Sequence, residues 1–279
     1  MELKGKNVIY VGGYGGIGKS CVEAFLKKSV KSLLIFDLMS NDEFLKYLQN
    51  TYKNSFIDYI HLDLAKSETI KDAFKKAKDL IGSFDIVVNG SGVAVEDQID
   101  LLVQINLAGP MQSSAIAMDY MSKANGGNGG CIVNMSSTAN GGNGGCIVNM
   151  SSTVGLNPTD FCCFYGATKS GVIHFTTALA QPMYFNKTGV SFITVCPGVT
   201  KSPMNMIVEK KSFSIKFRPQ DVNMHENVIE QTSDALAENL MTIIENGPNG
   251  SIWAVHDGQS FKVELPEIWG PTLRYRTDK

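Results

Sequence analysis

Tyr165 and Lys169 stand four residues apart in Tyr165-Gly166-Ala167-Thr168-Lys169, a spacing that puts them on one helix face, within reach of a common ligand. A phenol moves a proton at neutral pH only if its pKa, about 10 in water, is brought down, which asks for roughly 4 kcal/mol of preferential phenolate stabilisation; a nearby cation is one source of it. The spacing alone is common on exposed helices, so its neighbours decide its meaning. Ser152 lies 13 residues before the tyrosine (165 − 152 = 13), in the strand-ending segment Asn149-Met150-Ser151-Ser152-Thr153-Val154-Gly155, and Asn106 lies within the preceding helix.

A second cluster sits near the start of the chain. Gly12-Gly13-Tyr14-Gly15-Gly16-Ile17-Gly18 contains two overlapping glycine spacings, Gly13-x-Gly15-x-x-Gly18 and Gly12-x-x-x-Gly16-x-Gly18, between a strand and a helix. Glycine suits a tight turn and close approach of a pyrophosphate, and the helix N-terminus offers unpaired N–H groups to phosphate. Asp37 follows Gly18 by 19 residues (37 − 18 = 19), at the end of the second strand, where a carboxylate can accept from both hydroxyls of an adenosine ribose. The same charge repels a 2′-phosphate, and Leu38 rather than an arginine comes next, so NAD is favoured over NADP. Asp63 ends the third strand and is placed for the adenine, and Asn89-Gly90-Ser91-Gly92 gives a turn that could pass close to the cofactor.

The elements that must position these residues alternate in type. Apolar, β-branched runs at 6–11, 32–36, 56–62, 84–88, 146–150, 190–196 and 251–255 read as strands, separated by helix-compatible sequence that includes long helices over 100–123 and 164–184. This order predicts an α/β fold, a single Rossmann-type doubly wound parallel sheet with helices on both faces. No composition shift marks a linker, so residues 1–279 read as one NAD-binding oxidoreductase domain. Residues 201–227 have weak periodicity and read as a flap of the kind that closes over substrate.

A formal net charge of −2 provides no broad basic field for nucleic acid. No apolar run approaches a membrane span, and the start lacks a secretory leader, so a cytoplasmic protein with neither nucleic acid nor membrane as partner is expected. The six cysteines show no metal-ligand spacing and read as reduced thiols.

Taken together, the glycine run, Asn89-Gly90-Ser91-Gly92, Asn106, Ser152, Tyr165-Gly166-Ala167-Thr168-Lys169 and Pro197-Gly198-Val199-Thr200 resemble the short-chain dehydrogenase/reductase family. More closely, KNVIYVGGYGGIG, SLLIFD and NGSIWAVHDG look like its insect-type alcohol dehydrogenases, over about residues 3–260. The resemblance implies NAD-dependent, reversible oxidation of a primary or secondary alcohol to an aldehyde or ketone. Tyr165 would take the hydroxyl proton, Lys169 would hold the nicotinamide ribose, and Ser152 would hydrogen-bond the substrate oxygen. Asn106 would support a relay water and Thr200 would contact the carboxamide, with Gly12, Gly16, Ile17, Gly18, Asp37, Asp63, Asn89 and Gly90 completing the cofactor site. It also implies a homodimer through the two long helices. A second reading is a catalytically weak or inactive relative that serves as a storage or binding protein; an eroded glycine run or lost Tyr/Lys pair would mark it, and both are complete here.

Residues 124–138 and 139–153 are identical, ANGGNGGCIVNMSST twice. The strand candidates 131–135 and 146–150 therefore compete for one place in the sheet, and Ser137 competes with Ser152. The second copy is favoured, because it keeps the 13-residue distance to Tyr165 and leaves the extra residues at the strand's start, away from the carboxyl ends where ligands bind. Val93, Val95, Phe161, Cys162, Met204 and Met206 could line an apolar substrate pocket.

Overall fold

The computed structural model describes residues 1–125, 127, 145–205, 211–217 and 228–266. The strands β1 (Asn7–Val11), β2 (Ser32–Asp37), β3 (Phe56–His61), β4 (Ile86–Asn89), β5 (Cys146–Met150), β6 (Ser191–Pro197), β7 (Ile252–His256) and β8 (Gln259–Val263) form one sheet. Their order is β3-β2-β1-β4-β5-β6-β7-β8, parallel throughout except for β7 and β8. Central strands are covered on both faces, which is why β1, β4 and β5 are buried at every position. Along β1, Val8 and Tyr10 enter the core that includes α1 (Gly16–Lys27) and α8 (Ser233–Asn246), whereas Ile9 and Val11 enter the core of α3 (Ser67–Ile81) and α5 (Gly109–Met121). The α/β reading with helices on both faces is thereby met.

Three differences from the sequence reading have physical causes. The helix expected over 100–123 is α4 (Ile99–Val103), a π turn (Gln104–Ala108) and α5. Pro110 has no N–H to give the carbonyl of Asn106, so the α-helical ladder fails where that asparagine sits. The helix expected over 164–184 is α6 (Cys163–Leu179), and Pro182 then opens a separate α7 (Pro182–Thr188). The sheet also runs past 255. Asp257 (φ 51°) and Gly258 (φ 69°) form a two-residue hairpin turn into β8, and the Asp-Gly pair is the sequence signal for it.

β5 is the second copy of the repeated block, pairing with β4 through Cys146–Asn149 and with β6 through Cys146–Met150. The competing segment 131–135, Ser137, Met206 and most of the 201–227 flap lie outside the described residues. Cys21, Cys146, Cys162, Cys163 and Cys196 are free thiols. Among the described residues no helix is long and apolar enough to cross a membrane.

Candidate active site

The carboxyl ends of β4, β5 and β6 and the first turn of α1 surround a cavity of about 330 Å³. Tyr165, Lys169 and Ser152 all line it, together with Ile17, Gly90 and Thr200 from the sequence reading. α6 brings Tyr165 and Lys169 to the same side, and Ser152 follows β5 directly as the N-cap of a short 3-10 turn, accepting from the Val154 N–H at 3.4 Å.

Lys169 is 3% exposed, and its Nζ donates to the Met150 carbonyl at 3.1 Å while lying 5.5 Å from the centre of the Tyr165 ring. The Ser151 hydroxyl donates to the Lys169 carbonyl at 2.8 Å, fixing this turn of α6 against the end of β5. Burial lowers the Lys169 pKa from 10.5 to about 8, against a raising influence from Cys196. Burial likewise pushes the Cys196 thiol up to about 12. The Tyr165 hydroxyl is pushed well above the ordinary phenol value by burial and by Cys162, while the Ser152 hydroxyl acts in the opposite direction. The chain alone therefore holds Tyr165 as a neutral phenol.

Asn106 is fully buried in the π turn. Its Oδ1 accepts from the Val93 N–H at 2.8 Å, and its Nδ2 donates to the Val93 carbonyl at 2.8 Å and to Thr168 Oγ1 at 3.3 Å. Both amide hydrogens are thus engaged in holding the 93 loop against α6. Val93 and Val95 do not line the cavity, whereas Phe161, Cys162 and Met204 do.

The glycine loop has the form of a phosphate cradle. Gly12 has φ +85°, and a Cβ there would meet Ser91 Oγ at 2.5 Å; a Cβ at Gly18 would meet the Gly12 carbonyl oxygen at 2.1 Å. A Cβ at Gly16 would come within 3.0 Å of Pro203. The N-cap of α1, Gly15, offers no side-chain cap and the first turn carries no acid, so the first-turn amides are left for an anion. Asp37 closes the loop from the next strand, its Oδ2 accepting from the Tyr14 N–H and its Oδ1 from the Leu38 N–H, at 2.9 and 2.8 Å. These residues fit a dinucleotide. Asp63 is drawn into its own turn, accepting from the Ala65 N–H and pairing with Lys66 at 3.1 Å. Asn89 turns inward: its Nδ2 donates to Asn149 Oδ1 at 2.7 Å and its Oδ1 accepts from Ser113 at 2.6 Å, so its side chain ties β4 to β5 and α5.

Two residues absent from the sequence reading organise the site. Gln231 is buried, and its Nε2 donates to Thr200 Oγ1 at 3.2 Å and to the Val255 carbonyl at 2.8 Å, which pins Thr200 to the end of β7. Glu96 is 3% exposed and accepts backbone N–H groups from Tyr165 and Phe213, each at 3.0 Å. These contacts span 24 to 117 residues, and no local spacing signals them.

A family model for short chain dehydrogenases matches residues 6–143 and again 138–212, so the match ends and restarts inside the tandem repeat. "Fat body protein 2" of Drosophila melanogaster is 31% identical over 269 residues, 96% of this chain and 99% of that protein. "Alcohol dehydrogenase 2" of Ceratitis cosyra is 31% identical over 274 residues, 98% of this chain and 99% of that protein. Among solved structures, a short chain dehydrogenase from Burkholderia cenocepacia J2315 in complex with NADP superposes with a TM-score of 0.71 at 19% identity, covering 92% of this chain and 99% of that one. Levodione reductase gives the same TM-score at 17% identity, with 92% and 98% covered.

Proposed function

Because the chain belongs to the short-chain dehydrogenase family, with insect alcohol dehydrogenases among its relatives, we propose that it is an NAD-dependent alcohol dehydrogenase acting reversibly on primary or secondary alcohols. The observation that carries this is the convergence of Tyr165, Lys169 and Ser152 on one cavity whose wall includes Ile17, at the end of the glycine loop that Asp37 closes. Bound NAD would supply a hydride acceptor and a positive charge.

Ser152 holds the substrate oxygen against the Tyr165 hydroxyl, whose pKa it already acts to lower. Tyr165 takes the alcohol proton in oxidation and returns it in reduction. Since burial favours the neutral phenol, positive charge must gather at this hydroxyl before it can act as a base, and Lys169 lies closest to provide it. Lys169 would also hold the nicotinamide ribose, and Thr200, clamped by Gln231, would contact the carboxamide. Asn106 serves the proton relay by fixing the 93 loop, and Asp37 selects NAD through its negative charge at the end of β2. Val154, Phe161, Val199, Met204 and Val228 give the remaining wall an apolar character suited to a short or medium alcohol.

The whole chain acts as one oxidoreductase domain in the cytoplasm. Exposed Ile99, Leu101, Val103 and Met111 along the α4–α5 stretch support a homodimer. The intact Tyr/Lys/Ser set supports an enzyme over a storage or binding role. Screening a panel of primary and secondary alcohols with NAD and with NADP tests the proposal. Turnover with NAD at least about tenfold more efficient than with NADP is expected, and absence of turnover across the panel overturns it.

A further inference from the structure

Glutamate is almost never fully buried without partners, and Glu96 has found two at once. α6 lacks a side-chain cap of its own, since its N-cap is Cys162, yet its first amides need acceptors. One carboxylate oxygen of Glu96 fills that role from 69 residues away, taking the N–H of Tyr165 itself, in the first turn. The other oxygen takes the N–H of Phe213, 117 residues away. From there the 211–217 segment folds back on the same helix start. The hydroxyls of Ser212 and Ser214 both donate to the Phe161 carbonyl, and the Phe213 ring packs 5.0 Å from that of Phe164. Lys211 pairs with Asp97 at 3.4 Å, but both are exposed and such a pair adds little. Phe161 and Cys162 are themselves part of the cavity wall that faces Tyr165.

We propose that Glu96 is a positioning residue: its carboxylate ties the first turn of the Tyr165 helix to the 211–217 segment, and so fixes the Phe161–Cys162 wall of the alcohol cavity relative to Tyr165. The inference rests on Tyr165 being the proton-transfer residue. Placement errors of an ångström at a reacting pair can cost orders of magnitude in rate, and a longer alcohol, which leans on more of the wall, is more sensitive to its position than a short one. A carboxylate that only stabilised the fold would lower the melting temperature and affect all alcohols alike.

The test compares the wild type with E96Q, whose amide nitrogen cannot accept a hydrogen bond, and with E96D, which keeps the charge but is a methylene short. Each is assayed with NAD and a series of short and long primary alcohols, with NAD binding followed by fluorescence. In E96Q, kcat/KM for the longest accepted alcohol is expected to fall about tenfold or more and that for the shortest less than about threefold, with NAD affinity within about twofold of wild type. Trypsin cleavage after Lys211 and Lys216 should be about fivefold faster, because the tether that restrains them is cut. Equal loss for all alcohols, a parallel loss of NAD affinity, or unchanged cleavage overturns the proposal. Failure of both variants to fold overturns it too, in favour of a purely structural carboxylate. A wild type that turns over no alcohol defeats the proposed function instead, and the cleavage rates then decide the tether by themselves.

Discussion

The two ends of the cavity are built in opposite ways. At the glycine-loop end the defining contacts join residues close in sequence: the Gly12 N–H donates to the Phe36 carbonyl at 2.7 Å, and the Tyr14 N–H to Asp37, 23 residues on. One strand-loop-helix-strand unit contains them all. At the Tyr165 end the walls are held by Glu96 to Phe213, Ser212 to Phe161 and Gln231 to Thr200, across 117, 51 and 31 residues. A site made within one contiguous unit keeps its chemistry as long as that unit keeps its sequence. A site assembled from distant segments changes shape whenever any one of them is altered, which suits a fixed cofactor opposite a variable substrate.

Replacing Tyr165 by phenylalanine attacks that end and gives the largest expected effect: kcat should fall by about 10³-fold, with NAD affinity within about twofold of wild type by fluorescence titration. A matching loss of NAD binding would erase the distinction between the ends. Asp37→Ser attacks the other end. Losing a charged hydrogen-bond partner for the ribose should reduce kcat/KM for NAD by about tenfold or more and raise the NADP to NAD ratio, while KM for the alcohol stays put. A shift in alcohol KM of similar size would mean that the ends are coupled.

Lys169 belongs to both, and its signature is in pH. Its pKa falls from 10.5 in the unfolded chain to about 8 in the fold, so between those values the unfolded state binds more protons and stability rises with pH. Below pH 8 the full cost of burying the ammonium is present, about 3 kcal/mol for a shift of this size; above 10.5 it is gone. The stability difference between wild type and K169M, measured by denaturant unfolding, should therefore move in favour of wild type from pH 7.5 to pH 10. A difference independent of pH would show that the lysine is not desolvated.

What could be read from the residues alone follows the same divide. The strands were legible because a doubly covered sheet needs continuous apolar runs, and β5 falls on 146–150 as expected. Gly12, Gly18 and Asp37 were legible because the turn, the close approach and the strand-end carboxylate lie in one local pattern. The inward turn of Asn89 was not, because its partners, Ser113 and Asn149, come from other elements. The break at the π turn was signalled by Pro110, a single residue outweighed by helical periodicity on either side. Glu96 and Gln231 carry no local signal, since one acid in a loop and one amide before a helix acquire their meaning only through segments folded in from far along the chain.

β5 comes from the second of two identical blocks, and this makes the chain reversible in a genetic sense. Excising residues 124–138 and excising residues 139–153 produce one and the same polypeptide, because the blocks are identical and adjacent. Either excision leaves Cys-Ile-Val-Asn-Met for the central strand and a serine 13 positions before the tyrosine. An in-frame loss anywhere within the repeat that removes one period arrives at that same molecule, a chain of 264 residues (279 − 15 = 264) in which only one strand can claim the centre of the sheet.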